Sequence, residues 1–243
     1  MLKQLTVALT AVSTMGFSAL AASETVPSAI GDFDVSMTAT LASDYIWRGQ
    51  SQTGGSGAVQ GSLDIAHESG LYIGAWASNV DDQVFTGNSG GADMEVDYYV
   101  GYGGDLTDWL SYDLSWNTYT YPQASSYNVD EWIGKLSAYG FTVGAKYAYD
   151  PSSALYSFIS YEYELPYEIG LGLAYGHTDT KNAELDADEQ YNDWSVTLSK
   201  TIATLDVALM YSDTDISECV ANMGYTDDDD CDANLTLSVS KSF

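Results

Sequence analysis

Between residues 33 and 243 the chain alternates apolar and polar side chains one for one, in twelve successive stretches separated by turn-forming residues. Period-two alternation gives a strand one apolar and one polar face, so a chain built of little else is all-β. The pattern is cleanest in the last stretch. Leu235, Leu237, Val239 and Phe243 share one face, and Asn234, Thr236, Ser238, Ser240 and Ser242 share the other. Strands are predicted over 33–48, 57–67, 70–80, 93–103, 109–121 and 127–138, then 141–149, 154–165, 168–178, 191–201, 204–214 and 233–243. Most match the ~9–11 residues that a tilted strand needs to cross a bilayer.

The connections alternate too. Tight ones fall at His67 to Gly70, Gly103 to Asp108, Tyr139-Gly140, Pro166-Tyr167 and Ile202-Ala203. Between them lie longer acidic or glycine-rich segments at 49–57, 81–92, 178–190 and 215–232, with shorter ones at 122–126 and 150–153. An even number of strands joined alternately by short turns and long loops predicts a transmembrane antiparallel up-and-down β-barrel of twelve strands, both ends on the periplasmic side. Aromatics test the same topology, because Tyr and Trp collect at the two membrane interfaces. An outer girdle is expected from Tyr45, Trp47, Tyr119, Tyr121, Tyr147, Tyr149, Tyr175, Trp194 and Tyr211, and an inner one from Phe33, Tyr102, Trp109, Tyr139, Phe141, Tyr163, Tyr167 and Phe243. Lys200 and Lys241 fall on the lipid-facing parity near periplasmic ends, where their stems reach toward lipid head groups. A final strand ending on Phe243 resembles the signal read by the barrel assembly machinery, although Lys241 stands where such signals carry an apolar residue. The alternative is a soluble secreted β-sandwich, which requires neither girdles nor alternating loop lengths.

Residues 1–22 combine Lys3, an apolar run from Leu5 to Leu20 and the small-residue pattern Ala19-Leu20-Ala21. That is the order of a cleaved secretory signal peptide, leaving residues 23–243 as a single barrel domain. The chain carries 35 acidic against 7 basic residues, a net charge of −28, which repels phosphate backbones and excludes nucleic acid as a partner. Cys219 and Cys231 meet oxidising conditions after export and are expected to pair. Without clustered His they make a poor zinc site.

The motifs Asp44-Tyr45-Ile46-Trp47-Arg48-Gly49-Gln50-Ser51-Gln52-Thr53, Ala58-Val59-Gln60-Gly61 and Trp76-Ala77-Ser78-Asn79-Val80 resemble the TorF family of proteobacterial porins, exported proteins formerly of unknown function. Asp97 to Tyr102 and Lys146 to Tyr149 extend the resemblance over most of the chain. It implies an outer-membrane barrel of a Gram-negative bacterium, and it supplies no catalytic residues, no cofactor and no settled substrate.

On the polar parity, which faces the lumen, stand Asp34, Asp44, Asp64, Glu95, Asp97, Asp113, Glu131, Glu162 and Asp206 against Arg48, Lys135 and Lys146. Small residues such as Ser62, Ser115, Gly172 and Thr197 leave room between them. Twelve strands should enclose a narrow channel, since eight are filled by side chains and ~16 leave a wide one. One reading is therefore passive diffusion of small solutes with a preference for cations, which rings of carboxylates concentrate. The other is a closed barrel, braced by pairing of Lys135 and Lys146 with Glu131 and Glu162. Acidic outer segments, including Glu184, Asp186, Asp188, Glu189 and Asp227 to Asp230, suggest contact with divalent cations or lipopolysaccharide phosphates, but they lack the spacing of a specific calcium loop. Hydrolysis is a remote alternative. His177 precedes Asp179 at the outer rim without a nucleophile motif, and His67 belongs to a turn. Oligomeric state is left open.

Overall fold

The computed structural model describes residues 23–81, 91–180, 190–220 and 227–243. The expected signal peptide and the acidic residues Glu184 to Glu189 lie outside them. The strands are β1 (Glu24–Val26), β2 (Phe33–Ala42), β3 (Ile46–Trp47), β4 (Gln50–Ser51), β5 (Ala58–His67), β6 (Leu71–Asn79), β7 (Met94–Thr107) and β8 (Leu110–Thr120). There follow β9 (Val129–Ala138), β10 (Phe141–Asp150), β11 (Ala154–Leu165), β12 (Ile169–Thr180), β13 (Gln190–Ile202), β14 (Leu205–Thr214) and β15 (Asn234–Ser242).

Among the described residues, β2 and β5 to β15 form a closed barrel of twelve antiparallel strands, each hydrogen-bonded to its neighbours in chain order. Closure is made by β15 against β2, with Ser238 opposite Ala42 and Ser242 opposite Thr38. Phe243 then exchanges backbone hydrogen bonds with Met37, at 3.2 and 2.9 Å. Beyond it β1 takes over the same edge of β2, placing Glu24 opposite Val35 and Val26 opposite Phe33. Two-residue turns at Tyr139–Gly140 (φ 53 and 83°) and Ala203–Thr204 (φ 51 and 78°) have positive φ at both positions. That is the geometry whose twist matches antiparallel strands.

The burial pattern is inverted relative to a soluble protein. Outward residues such as Leu41, Val59 and Leu235 are 62–65% exposed, while Asn117 and Glu131 inside are 0 and 1% exposed. A continuous apolar exterior around a polar interior suits hydrocarbon rather than water, which removes the β-sandwich alternative. Tyr147, Tyr149, Tyr175, Trp194 and Tyr211 face outward, as do Tyr102, Trp109, Tyr139, Phe141, Tyr163, Tyr167 and Phe243 at the opposite end. Phe33 is half-buried against the ring of His67, at 4.8 Å.

Tyr45, Trp47, Tyr119 and Tyr121 depart from the girdle. Tyr119 and Tyr121 are buried inside the barrel because they share the inward parity of Asn117, and Tyr45 and Trp47 lie inside because their segment has left the wall. The first strand also ends at Ala42 rather than at residue 48. Alternation continues to residue 48 because the segment beyond Ala42 is extended as well, within a second, separate sheet of two strands.

Candidate functional site

That second sheet is a hairpin folded into the lumen. Asp44 forms its neck: one carboxylate oxygen accepts from Ser51 Oγ at 2.8 Å and Thr53 Oγ1 at 2.7 Å, and the other from Asn234 Nδ2 on β15 at 2.6 Å. The Gln52 amide donates to the Tyr45 carbonyl at 2.7 Å. With the neck closed, β3 and β4 pair Ile46 with Ser51 and Trp47 with Gln50, and Arg48 (φ 50°) and Gly49 (φ 81°) make the tip. Gly49 is needed twice over. Its backbone is left-handed, and an added Cβ would stand 2.9 Å from Thr214 Cβ and 3.1 Å from Asp193 Cβ on the wall.

The tip is anchored by charge. Arg48 Nη2 pairs with Glu131 on β9, whose other oxygen accepts from Tyr119 Oη at 2.8 Å. The guanidinium also lies over the rings of Trp47 and Tyr156, at 4.1 and 4.5 Å, a stacking that suits its planar, weakly hydrated cation. Gln50 Nε2 donates to Tyr191 Oη at 2.5 Å. On the other flank Tyr45 meets Trp76 edge-on at 5.3 Å and reaches Glu95 with its hydroxyl at 3.4 Å. Every barrel strand contributes an inward residue to the collar around this hairpin. Ala42, Ala58, Ser78, Asp97, Asn117, Glu131, Ala148, Tyr156, Thr178, Asp193, Met210 and Thr236 are all 0–9% exposed.

Below the tip the lumen widens. A cavity of about 820 Å³ extends from Arg48 and Gly49 down to the short turns at Asp108–Trp109 and Tyr139–Gly140. Its walls carry Asp105, Asp108, Asp113, Glu162 and Asp193 against Lys135 and Lys146, among small residues such as Ser115, Gly172, Ser195 and Thr197. Above the hairpin, a short 3₁₀ turn at Asp228–Cys231 packs on β4. It belongs to the segment closed by the Cys219–Cys231 disulfide, whose Cα atoms are 5.7 Å apart. Burial, then the charges of Asp227, Asp44, Asp81 and Asp229, push the Asp230 carboxyl up to about 6.

The residues predicted to line the lumen fall at three levels. Asp44, Arg48, Glu95, Asp97 and Glu131 gather at the hairpin and are 1–3% exposed. Asp64 accepts from Tyr99 Oη, Asp113 pairs with Lys135 at 3.2 Å and accepts from Tyr72 Oη at 2.7 Å, and Lys146 lies 5.9 Å from the Tyr156 ring centre. Glu162 borders the lower cavity. Asp34 and Asp206 lie at the short-turn end of the barrel, accepting from Thr25 and Thr201 at 2.7 and 2.6 Å. Two details are corrected. Arg48 is on the hairpin tip, not on a wall strand, and the expected Glu131 partner Lys135 pairs with Asp113 instead, because Arg48 reaches Glu131 from above. Asp193, Tyr156, Tyr191 and Gln50 were missed. Parity on the predicted 191–201 strand identifies Tyr191 and Asp193 as inward-facing, whereas Gln50 required knowing that its loop enters the barrel. His177 is on the outward parity, with Nδ1 3.0 Å from Asn192 Oδ1, and His67 bridges Ser69 and Ile30 in its turn.

A family model described as "bacterial protein of unknown function (Gcw_chp)" matches residues 27–243. No curated protein matches the sequence. Among solved structures, a KdgM porin aligns at TM-score 0.52 and 10% identity, over 86% of this chain and 99% of its own. A structure described as "Unveiling the Mechanism Behind the in-meso Crystallization of Membrane Proteins" aligns at 0.51 and 10% identity, over 86% and 83%. A KdgM porin in complex with disordered oligogalacturonate gives 0.47 and 8% identity, over 86% and 98%. At such identities the first two likenesses concern the barrel fold.

Proposed function

The chain belongs to the Gcw_chp family of bacterial proteins of unknown function, and from that premise we propose that it is a porin-type channel of a Gram-negative outer membrane. The observation that carries the reading is a cavity of about 820 Å³, with ionisable side chains in its walls, inside a barrel whose exterior is apolar. A barrel stabilised only for structural purposes gains little from keeping such a space among ionisable walls, since unfilled interior forfeits packing. Residues 1–22 direct export, the assembly machinery folds the chain, and lipopolysaccharide surrounds the outer loops. Passage is by diffusion of small solutes without catalysis.

The channel prefers cations. Carboxylates outnumber ammonium groups along the lower cavity, where Asp105, Asp108, Glu162 and Asp193 stand around the Lys135–Asp113 pair and Lys146, and such a lining draws cations in. One observation favours a second reading, the permanently closed barrel: the hairpin is buried in the lumen and touches β6, β7, β9, β11, β13 and β15. Single-channel recording of folded protein in a planar bilayer, with the reversal potential under a potassium chloride gradient, separates them. Conductance steps with a reversal potential displaced toward the potassium potential support the channel. Silence of folded protein and of its hairpin-deleted form supports the closed barrel.

A further inference from the structure

We propose that the β3–β4 hairpin is a gate, seated by the Arg48–Glu131 pair, and that the channel conducts when this hairpin leaves its seat. The inference rests on the channel reading above. Three observations carry it.

First, the hairpin is built as a separate body. Its strands pair only with each other, in a sheet distinct from the wall, and its neck is tied internally through Asp44, Ser51 and Thr53 and to the barrel through Asn234 and Asp81. It can shift without breaking the pairing of any barrel strand. The exposed run Gly54-Gly55-Ser56-Gly57 connects it to β5, so one arm of the neck is a glycine-rich turn outside the wall.

Second, the seat is polar and incompletely bonded. Arg48 Nε and Gln50 Oε1 on the hairpin, and Asp193 Oδ2 and Ser212 Oγ on the wall, are buried without a hydrogen-bond partner in the protein. Buried polar atoms are normally satisfied, and an unsatisfied one disfavours the state that buries it. Water satisfies all four once the hairpin moves. A fixed structural plug would be expected to bury apolar side chains at this contact, as the Tyr45–Trp76 flank does.

Third, among the contacts that oppose release, Arg48–Glu131 is the ion pair. Arginine stays charged at any accessible pH, so a guanidinium in this collar requires a carboxylate partner, and Glu131 supplies it. Removing that partner leaves an unpaired buried cation, which is strongly unfavourable until it reaches water. The way to water is to unseat the hairpin.

The test uses four proteins recorded in planar bilayers, each shown to be folded by heat-dependent gel migration: wild type, Glu131→Gln, Arg48→Gln, and a variant with residues 45–52 replaced by a Gly-Ser linker. Wild type should be closed most of the time with brief openings. Glu131→Gln should raise open probability on the order of tenfold or more without changing unit conductance, and the linker variant should stay open. Arg48→Gln lies outside the wall strands, so it tests the latch even if Glu131→Gln fails to fold, and it too should raise open probability. If the linker variant conducts persistently while both point variants open no more often than wild type, the latch is rejected and the channel stands. If wild type is already as open as the linker variant, the gate is rejected. A folded, silent linker variant removes the channel reading itself.

Discussion

Replacing Gly49 by alanine should unseat the hairpin, and the size of the effect follows from two separable costs. A residue with a Cβ at φ 81° pays ~1–2 kcal/mol for the left-handed conformation. The added methyl must also fit 2.9 Å from Thr214 Cβ and 3.1 Å from both Asp193 Cβ and the Asp213 carbonyl oxygen, and overpacking of that kind costs about 1–3 kcal/mol. Together they oppose seating by roughly 2–5 kcal/mol, which multiplies the unseated population by about 30-fold at the lower end. Gly55 is an internal control, since it also has positive φ, 70°, but nothing lies within 4 Å of its added Cβ. Gly55→Ala should therefore show only the backbone cost, about five- to thirty-fold at most. Amide hydrogen exchange of the segment 44–53 in detergent-folded protein reads seating directly, whether or not the protein conducts. Exchange should rise well above wild type in Gly49→Ala and clearly less in Gly55→Ala. Equal rates in the two variants would refute the claim that the wall contact holds the tip.

Three further outcomes follow from features already described. Reducing or replacing the Cys219–Cys231 bond should release the segment over β4, with a loss on the order of 2–3 kcal/mol, seen as faster proteolysis within residues 219–231; an unchanged cleavage rate would contradict it. Because the Asp230 carboxyl is raised to about 6, the folded segment favours the protonated form. Its contribution is complete below the ordinary carboxylate range and is lost as pH rises through about 6. Proteolysis of the segment should thus be slower at pH 5 than at pH 7.5, and Asp230→Asn should abolish the difference. Leu209→Arg, on the lipid face of β14 between Leu198 and Leu237, should destabilise the barrel by about 2–4 kcal/mol. Reversible unfolding in lipid vesicles measures this, and a neutral result would place Leu209 away from hydrocarbon.

The wall was legible in the sequence because the period of two is dictated by a bilayer outside and side-chain-lined space inside, and both act on every residue of a strand. Each predicted strand from 57–67 to 233–243 is present, with ends displaced by only a few residues. Parity also placed Glu95, Asp97, Glu131 and Lys146 inside. It misled where an element was extended but not part of the wall. Residues 44–53 carry the same alternation as their neighbours, and nothing local distinguishes a strand that crosses lipid from one that turns back into the lumen. The distinguishing signals are Asp44 with Ser51 and Thr53, whose spacing closes a neck, and Arg48-Gly49, a tight-turn pair. The motif that carried the family resemblance is thus the hairpin itself. Pairing was less legible still, since Lys135 and Arg48 compete for carboxylates whose heights depend on the stagger of the strands.

The seam also bears on misassembly. Where β15 stops opposite Thr38, the remaining edge of β2 would present unpaired amides and carbonyls, the kind of template on which chains dock onto one another. β1 occupies part of that edge from Val35 to Phe33. Its three residues make it an edge guard: it adds little to the wall, yet it denies a neighbouring, half-folded copy a place to add a strand. Loss of Glu24 to Val26 should then show less in the melting of finished barrels than in the yield of monomers recovered from crowded refolding.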